Sequence, residues 1–319
     1  MSDPATASAS VPALQTVVVA TDLSQASHAA LRVAAEIAVR NGSKLIIAHV
    51  IERPDTHAAD VFDHGVESEI MADADSALRE AVSHLPGEFT THLVDIRLLH
   101  GRALPELLKL AGNSRADLLV TGTHGRDGID TLVLGSIAEK LARKAPCPVL
   151  VVKPDFHETH FSRPMVAVDF SDDAVRAVRR GLQLCQAFGL TRLALLHVYD
   201  VPQRYIKPGI TPQQAAEAVR AHVQETGTTW LDHFSGQHSG ITLELTLQAG
   251  SPGTAIPEFA LAHGTDLIVM GTRGRTAAAR MLLGSVTERV LRAACVSVLA
   301  ERTAQQSQDF FDALREWFS

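Results

Sequence analysis

The sequence predicts an α/β protein of two tandem doubly wound domains, each a five-stranded, mostly parallel sheet with helices on both faces. Three observations lead to this prediction. The chain has 319 residues, which is enough for two separate cores. Nearly the whole chain is an internal repeat. Within each repeat, short apolar runs alternate with longer segments of helical period.

The repeat is visible in seven- to nine-residue segments that recur at a nearly constant distance along the chain. The matching pairs are TVVVATDLS with PMVAVDFS, KLIIAHV with RLALLHV, and ADLLVTGT with TDLIVMGT. The spacing indicates one duplicated unit of about 145 residues, which is a whole domain and too long for a solenoid repeat.

Five apolar runs in the first unit predict strands: VVVA, KLIIAHV, VDIRLL, DLLVTG and CPVLVV. Because these runs are nearly all apolar, we expect strands that are buried on both faces. Four segments between them predict helices. They are SHAALRVAAEIAVRNG, which ends on Asn-Gly, then ESEIMADADSALREAVSHL, ALPELLKLAGNS and SIAEKLARKAP. Strands that alternate with helices predict a parallel sheet with right-handed crossovers.

The two units divide the chain into five predicted parts. These are a flexible N-terminal tail at 1–13, a first domain at 14–153, a linker at 154–163, a second domain at 164–301 and a C-terminal amphipathic helix at 302–319. The apolar face of that last helix holds Phe310, Phe311, Leu314, Trp317 and Phe318. This face either packs on the protein's own body or binds a partner, and its acidic polar side disfavours a membrane surface.

The composition excludes several classes of protein. A net charge of −7 argues against a nucleic-acid partner, which usually needs a basic face. No apolar run approaches the ~20 residues of a membrane span, and the polar N-terminal residues do not form a signal peptide. Three scattered cysteines fit a reducing compartment, so we expect a cytoplasmic protein.

One glycine motif occurs in both units, as GTHGRDGIDTLVLGS at Gly122–Ser136 and GTRGRTAAARMLLGS at Gly271–Ser285. Each copy reads G-x-x-G, nine further residues, then G-S, and it joins the fourth strand to the last helix. Ligands bind at this carboxyl edge of a doubly wound sheet. Glycines let backbone N–H groups come close to a ligand, and a helix N-terminus carries about half a positive charge. The spacing therefore predicts a phosphate site in each domain.

Other polar residues at the same edge allow two interpretations. Asp22 and Asp169 end the first strand of each unit and either bind a nucleoside or cap the next helix, although serines are also available as caps. Arg126 and Arg275 follow the second glycine and either approach phosphate oxygens or point into solvent. The histidines that end the second strands, His49 and His197, either touch the nucleoside or are buried and hydrogen-bonded.

The sequence offers little support for a metal centre or for a known phosphotransfer motif. The acidic and histidine-rich segment His57–Glu67 resembles a metal-binding cluster, but we interpret it and the linker histidines, His157 and His160, as solvated. No GxxxxGK[ST] or GxGxxG motif occurs. Asp22 or Asp169 could hold Mg²⁺ through a bound phosphate, but no residue is assigned as a metal ligand or catalytic group.

These motifs resemble those of the universal stress proteins in their tandem two-domain form. The likeness covers roughly Leu14–Lys153 and Arg163–Glu301, and GTHGRDG…LGSIAEKLARKAPCPVLVV is similar to the C-terminal signature of the family. The second copy departs from it, because ACVSVLAE stands where the family has a proline-rich segment. The resemblance implies a Rossmann-like fold of the adenine nucleotide alpha-hydrolase type and a bound adenine nucleotide, usually ATP, with Mg²⁺ as an optional companion.

The resemblance also assigns a role to each position of the motif. The nucleotide-binding residues in the first domain are Asp22, Val50, Gly122, Gly125, Arg126, Gly135, Ser136 and Ile137, where Arg126 is included for its position alone. Those in the second domain are Asp169, Val198, Gly271, Gly274, Arg275, Gly284, Ser285 and Val286. The aspartate and the first valine hold adenosine, and the remaining residues hold ribose and phosphates. Pairing of the last strands would join the two domains as an internal pseudo-dimer.

Three functions are consistent with the sequence. The leading one is an ATP-binding regulator of a stress response or a signalling pathway, which acts on an unknown protein partner without being an enzyme. The first alternative is a slow ATPase or autophosphorylating enzyme with the same pocket. The second is a scaffold whose pocket holds another ligand. The sequence leaves open whether both sites fill and whether the chain forms a homodimer.

Overall fold

The computed structural model describes residues 13–52, 64–85, 94–123, 134–200, 211–234, 240–272 and 283–302. The first half of the chain forms β1 Thr16–Ala20, α1 Gln25–Asn41, β2 Lys44–Ile51, α2 His64–Ser83, β3 Val94–His100, α3 Ala103–Asn113, β4 Leu118–Gly122, α4 Ser136–Lys144 and β5 Val149–Val152. The second half forms β6 Pro164–Ala167, α5 Asp172–Ala187, β7 Arg192–Tyr199, α6 Pro212–Leu231, a short 3-10 helix Asp232–Phe234, β8 Thr242–Ala249, α7 Pro252–Ala262, β9 Leu267–Gly271, α8 Ser285–Ala293 and β10 Ser297–Glu301.

All ten strands belong to one continuous sheet in the order β3-β2-β1-β4-β5-β10-β9-β6-β7-β8. The pairs within each half are parallel, as the alternation of strands and helices predicted. The two halves meet where β5 and β10 run antiparallel, with Leu150 opposite Leu299. The predicted fold class of two tandem doubly wound domains is therefore confirmed, and the last strands join these domains edge to edge.

Helices cover both faces of this sheet and create two apolar cores. One core contains residues of α1, α2, α5 and α6. The other contains residues of α3, α4, α7 and α8. Each core includes side chains from both halves of the chain, because the sheet runs through the molecule without a break. The predicted end of the first helix is also confirmed, since Gly42 adopts a left-handed conformation with φ 63° as its C-cap.

The prediction of strands buried on both faces is correct for the inner strands and wrong for β3. The residues of β1, β4 and β5 are almost all buried, whereas those of β3 are half-buried or exposed. Its counterpart β8 alternates exposed and half-buried residues. Both strands lie at the edges of the sheet, and both alternate apolar with polar residues, so only one of their faces packs on a core.

The segment that joins the halves is packed against the body of the protein. Phe161 is fully buried and lies 4.8 Å from Phe156 between ring centroids. The guanidinium of Arg32 on α1 donates a hydrogen bond of 3.1 Å to the carbonyl of Phe156. In the same segment His157 is exposed and His160 is half-buried.

Several features named from the sequence fall outside this description. The side chains of the histidine-rich segment 57–67 and the whole C-terminal segment 303–319 lie outside the described residues. Across the described ranges, no three His, Cys, Asp or Glu side chains are grouped as a metal site would require. The same ranges contain no helix with the length and apolar character needed to cross a membrane.

Candidate functional site

The strand pairing brings the predicted site residues of each domain to one edge of the sheet. In the first domain β1 and β4 are parallel neighbours, with Ala20 opposite Thr121. Asp22, which follows β1, and Gly122, the last residue of β4, therefore lie at neighbouring strand ends. In the second domain β6 and β9 are paired in the same way, with Ala167 opposite Met270. Both halves therefore place an aspartate beside the first glycine of the motif.

The loop after β1 shows which residue caps α1. Ser24 is the N-cap, and its hydroxyl accepts a hydrogen bond of 3.3 Å from the backbone N–H of Ser27. The Oδ1 atom of Asp22 accepts from the backbone N–H of Ser24 at 3.1 Å and from its hydroxyl at 2.6 Å. The aspartate therefore orients the capping serine and does not cap the helix itself.

This arrangement leaves one oxygen of Asp22 without a hydrogen-bond partner among the described residues. Its Oδ2 atom is buried, and no residue in the described part of the chain donates a hydrogen bond to it. A buried carboxylate oxygen without a donor is costly, because it has lost its water and gained nothing in return. The atom is thus available as an acceptor for a ligand at the edge of the sheet.

The second domain repeats this loop. Ser171 caps α5 by accepting a hydrogen bond of 3.3 Å from the backbone N–H of Ala174. The Oδ1 atom of Asp169 accepts from the backbone N–H of Ser171 at 3.1 Å and also from its hydroxyl. The Oδ1 atoms of the two aspartates therefore orient the capping serines in the same way.

The residue after each aspartate adopts an unusual backbone conformation. Leu23 has φ 64° and Phe170 has φ 62°, a left-handed region that residues other than glycine rarely occupy. Both side chains pack against the apolar core, and Phe170 stacks on His197 with ring centroids 4.2 Å apart. Such strain persists only where the surroundings enforce it, and its presence in both halves shows that the repeat reproduces the same loop conformation.

The histidines that end the second strands serve as structural ties. The Nδ1 atom of His49 lies 2.9 Å from the carbonyl of Thr21, and that of His197 lies 2.8 Å from the carbonyl of Val168. Each ring fastens the end of one strand to the end of its neighbour. Both rings are therefore hydrogen-bonded to the backbone, with His49 buried and His197 half-buried.

The valine that follows each histidine faces the opposite side of the sheet. Val50 and Val198 belong to the apolar core beneath α3, α4, α7 and α8, and so do Ile137 and Val286 from the first turns of α4 and α8. The predicted adenosine-binding valine and the predicted phosphate-binding helix therefore share one core in each domain.

The last helix of each domain begins without a side-chain cap. The N-cap residues are Gly135 and Gly284, with φ of −64° and −62°, and no side chain of the described residues bonds to either helix start. Because any residue can adopt these angles, the backbone conformation does not require glycine here. The next residues, Ser136 and Ser285, are exposed. The first-turn N–H groups are thus available to an anion.

A short backbone hydrogen bond closes each glycine motif at its base. The N–H of Gly135 donates to the carbonyl of Thr123 at 2.7 Å, and the N–H of Gly284 donates to the carbonyl of Thr272 at 2.8 Å. The helix N-terminus is thereby attached to the end of the preceding strand. The other predicted residues of the motif, Gly125, Arg126, Gly274 and Arg275, lie outside the described residues.

Two polar groups beside the second motif were missed from the sequence. The hydroxyl of Thr287 donates to the carbonyl of Gly271 at 2.9 Å, where the first repeat has Ala138 and no hydroxyl. Glu301 pairs with Gly271 across the sheet and forms an almost fully buried ion pair with Arg180, at 2.9 Å. Burial raises the pKa of Glu301 above its usual range, although Arg180 opposes the shift. A residue-by-residue alignment of the two repeats would have revealed both differences.

Comparisons with known proteins matched most of the chain. A universal stress protein of Thermus aquaticus is 33% identical over 141 residues, which is 44% of this chain and 98% of that protein. One from Mycobacterium tuberculosis is 24% identical over 299 residues and covers 90% of this chain and 96% of its own. A crystal structure of a functionally unknown Pseudomonas aeruginosa protein has the same fold, with a TM-score of 0.69, 19% identity and coverage of 95% and 98%.

The sequence profile of the universal stress protein family matches twice, at residues 13–153 and again at 160–302. These ranges contain both aspartate loops and both glycine motifs described above. The chain therefore belongs to the universal stress protein family and carries its domain twice in tandem.

Proposed function

We propose that this protein binds an adenine nucleotide, ATP, in each of its two domains and acts as a nucleotide-dependent regulator in a stress response. The observation that carries the proposal is the buried Oδ2 atom of Asp22, which has no donor among the described residues. It lies at the edge of the sheet where the uncapped N-terminus of α4 begins. One domain thus offers an acceptor for a nucleoside and donors for phosphates.

The roles of the residues follow from their positions. Asp22 and Val50 would hold the adenosine end, the former through Oδ2. Gly122, Gly135 and Ser136 would surround ribose and phosphates, and the backbone N–H of Ile137 would donate to a phosphate oxygen. An anion is stabilised at this place by the unpaired N–H groups and by the helix dipole. The glycines leave room for the ligand to approach the backbone.

The second domain would bind its nucleotide through the equivalent residues. These are Asp169, Val198, Gly271, Gly284, Ser285 and Val286, to which the motif adds Gly274 and Arg275, as it adds Gly125 and Arg126 in the first domain. A Mg²⁺ ion would enter with the phosphates of the nucleotide, which it commonly accompanies in proteins. The bound nucleotide would set the conformation that a protein partner recognises.

The proposal is tested with Asp22→Asn, which changes one atom. The amide oxygen keeps the hydrogen bonds from Ser24, while the NH₂ group replaces the free acceptor Oδ2 with a donor. We expect the ATP affinity of the first domain to fall roughly tenfold or more, since a buried hydrogen bond to a charged group is lost. Calorimetric titration should then show one tight site where the native protein has two.

The matched control is Asp169→Asn, which should remove the second tight site and leave the first. Mass spectrometry of small molecules released from the purified, denatured protein shows independently which nucleotide is bound. An Asp22→Asn protein that still binds two equivalents of ATP with native affinity contradicts the proposed role of this carboxylate. A native protein that neither releases nor binds adenine nucleotide contradicts the proposed function as a whole.

A further inference from the structure

Four charged side chains form a closed ring between α4 and α8, across the junction of the two domains. The guanidinium of Arg143 lies 3.1 Å from Glu139 of its own helix and 3.3 Å from Glu288 of the other helix. The guanidinium of Arg292 lies 2.9 Å from Glu139 and 3.5 Å from Glu288. Each arginine therefore contacts both glutamates, and the ring has the same pseudo-two-fold symmetry as the domains.

The two glutamates are located one helical turn from the predicted phosphate sites. The N–H of Glu139 donates to the carbonyl of Gly135, the N-cap of α4, at 3.1 Å, and the N–H of Glu288 donates to that of Gly284 at 3.0 Å. One turn rises about 5.4 Å along a helix axis. This rise separates the backbones, and a glutamate side chain on that turn lies within the ~10 Å Debye length of a phosphate at the N-terminus, so its carboxylate repels the phosphate unless a cation compensates it.

The compensating cation for each glutamate comes partly from the other domain. Arg292 belongs to the second domain and makes the shortest contact with Glu139 of the first. A second residue from the same domain also holds α4, because the guanidinium of Arg302 donates to the carbonyls of Ala142 and Arg143 in the last turn. The helix whose N-terminus forms the first phosphate site is thus held from the second domain at two points.

We propose that Arg292 and Arg143 are positioning residues that set the affinity of the opposite domain for the phosphates of its nucleotide. Arg292 acts on the first domain by compensating Glu139, and Arg143 acts on the second by compensating Glu288. This inference rests on the proposed function, since it requires a phosphorylated ligand at these helix termini. It adds that neither domain has its full affinity for ATP unless the other domain supplies the positive charge of its arginine.

The test measures nucleotide binding at each of the two sites separately in the full-length protein. The native protein and its variants are photolabelled with 8-azido-ATP, and peptides from each domain are quantified by mass spectrometry while unlabelled ATP or adenosine competes. We expect Arg292→Met to weaken the binding of ATP to the first domain by about three- to tenfold at low salt. Adenosine should compete there as well as before, because it carries no phosphate. The loss should shrink at high ionic strength.

Three further variants control this experiment. Arg289→Met removes the same charge from an exposed position of the same helix outside the ring, and it should leave ATP in the first domain unchanged. Arg292→Lys keeps the charge and should behave almost like the native protein. Glu139→Gln combined with Arg292→Met removes the repulsion itself and should restore the ATP affinity.

Each result has a defined meaning. Unchanged ATP competition in the first domain of Arg292→Met overturns the inference while the proposed function stands. Equal losses for ATP and adenosine also overturn it, since Arg292 would then support the fold and not the phosphates. A native protein that is labelled in neither domain, and that binds no ATP by calorimetry, overturns the proposed function and this inference with it.

Discussion

Arg180 and Glu301 show how single residues distinguish two otherwise similar domains. Their side chains are only 3% and 5% exposed, and their charged atoms lie 2.9 Å apart. The first domain has Val33 and Val152 at the equivalent positions. Val33 lies at the same distance along its helix from the N-cap Ser24 as Arg180 does from the N-cap Ser171. Val152 pairs with Gly122 in the sheet, just as Glu301 pairs with Gly271. The same place in the fold is therefore filled once by an apolar pair and once by an ion pair.

Replacing the members of this ion pair should distinguish the attraction between the two charges from the cost of removing both charges from water. We expect Arg180→Met or Glu301→Leu alone to lower the free energy of unfolding by about 3–5 kcal/mol, because each leaves a buried charge without its partner. The double variant should unfold with a free energy close to or above the native value, since apolar residues of similar volume avoid the desolvation cost of both charges. Urea denaturation monitored by circular dichroism measures all three.

The first domain provides the reason to expect that the double variant folds. Val33 and Val152 are completely buried there in one apolar core. A double variant that is as unstable as the single ones would mean that the ion pair contributes more than its desolvation costs, and that the second domain depends on it. Arg40→Met, which breaks a solvent-exposed ion pair with Glu36, should change the stability by less than ~1 kcal/mol and serves as the surface control.

Residues differ in how much of their role the sequence can specify. The positions of Asp22 and Asp169 at strand ends were predictable, because the apolar runs that precede them are unambiguous. Whether the aspartate or the neighbouring serine caps the helix was not predictable, because both residue types are suited to cap. Only the hydrogen bonds in the structure identify Ser24 and Ser171 as the caps. The Glu139–Arg292 contact was also invisible, because it joins residues that only the sheet topology brings together.

At the scale of elements, the helices of each domain differ in how they begin. Ser24 and Ser171 cap α1 and α5 through their side chains. The N-cap residues of α4 and α8 are glycines, with no such bond from any described side chain. α3 and α7 also begin without a side-chain cap, so the missing cap alone does not distinguish α4 and α8. What distinguishes α4 and α8 is the glycine motif that precedes both of them, which reserves their first-turn N–H groups for another purpose. We interpret this purpose as anion binding, at some cost in stability.

Adding a side-chain cap to α4 should therefore stabilise the protein and weaken its binding of ATP. Gly135 has φ −64° and ψ 149°, angles that a serine N-cap also adopts. We expect Gly135→Ser to raise the free energy of unfolding by a few tenths of a kcal/mol and to weaken ATP in the first domain severalfold, as the hydroxyl competes for the N–H groups. Thermal unfolding with and without ATP, together with calorimetry, measures both effects.

The equivalent substitution Gly284→Ser should produce the same exchange in the second domain and leave the first unaffected. If Gly135→Ser binds two equivalents of ATP with native affinity, the start of α4 is not the phosphate site. If it is instead less stable than the native protein, the glycine is required by its surroundings for space and not by a ligand.

The strands also show where the prediction of burial from apolar runs succeeds and where it fails. Inner strands such as β1 and β5 were predicted correctly as fully buried, because they have neighbours and helices on all sides. The sequence of β3 instead alternates apolar Val94, Ile96 and Leu98 with charged Asp95 and Arg97, and the strand lies half-buried at the edge of the sheet. This alternation is typical of a strand with one solvated face, so it was a usable signal that was lost when all five runs were treated alike.

At the scale of the whole molecule, the junction of β5 and β10 joins the two domains into one body. The strands are antiparallel and Leu150 faces Leu299 at the centre, so the junction has an approximate two-fold axis. The Glu139–Arg143 and Glu288–Arg292 pairs are arranged around the same axis. Each half therefore presents to the other a surface that is nearly a copy of the one it receives.

This symmetry predicts the behaviour of one half by itself. A chain of residues 13–153, the first range that matches the family, would expose β5 as an unpaired edge strand. We expect it to form a homodimer in which the β5 strands pair antiparallel and two copies of Glu139 and Arg143 rebuild the ring, as isologous interfaces permit. Light scattering coupled to size-exclusion chromatography measures the mass, which should be that of two chains.

Charge substitutions within that half separate this interface from nonspecific association. Arg143→Glu would place like charges around the axis and should shift the half-molecule towards a monomer, because like-charge contacts at an interface cost several kcal/mol. Lys144→Glu makes the same change of charge at the next, exposed residue outside the ring and should leave the dimer intact. A native half that remains monomeric at micromolar concentration would mean that covalent linkage, and not the complementarity of β5 and the ring, holds the two domains together.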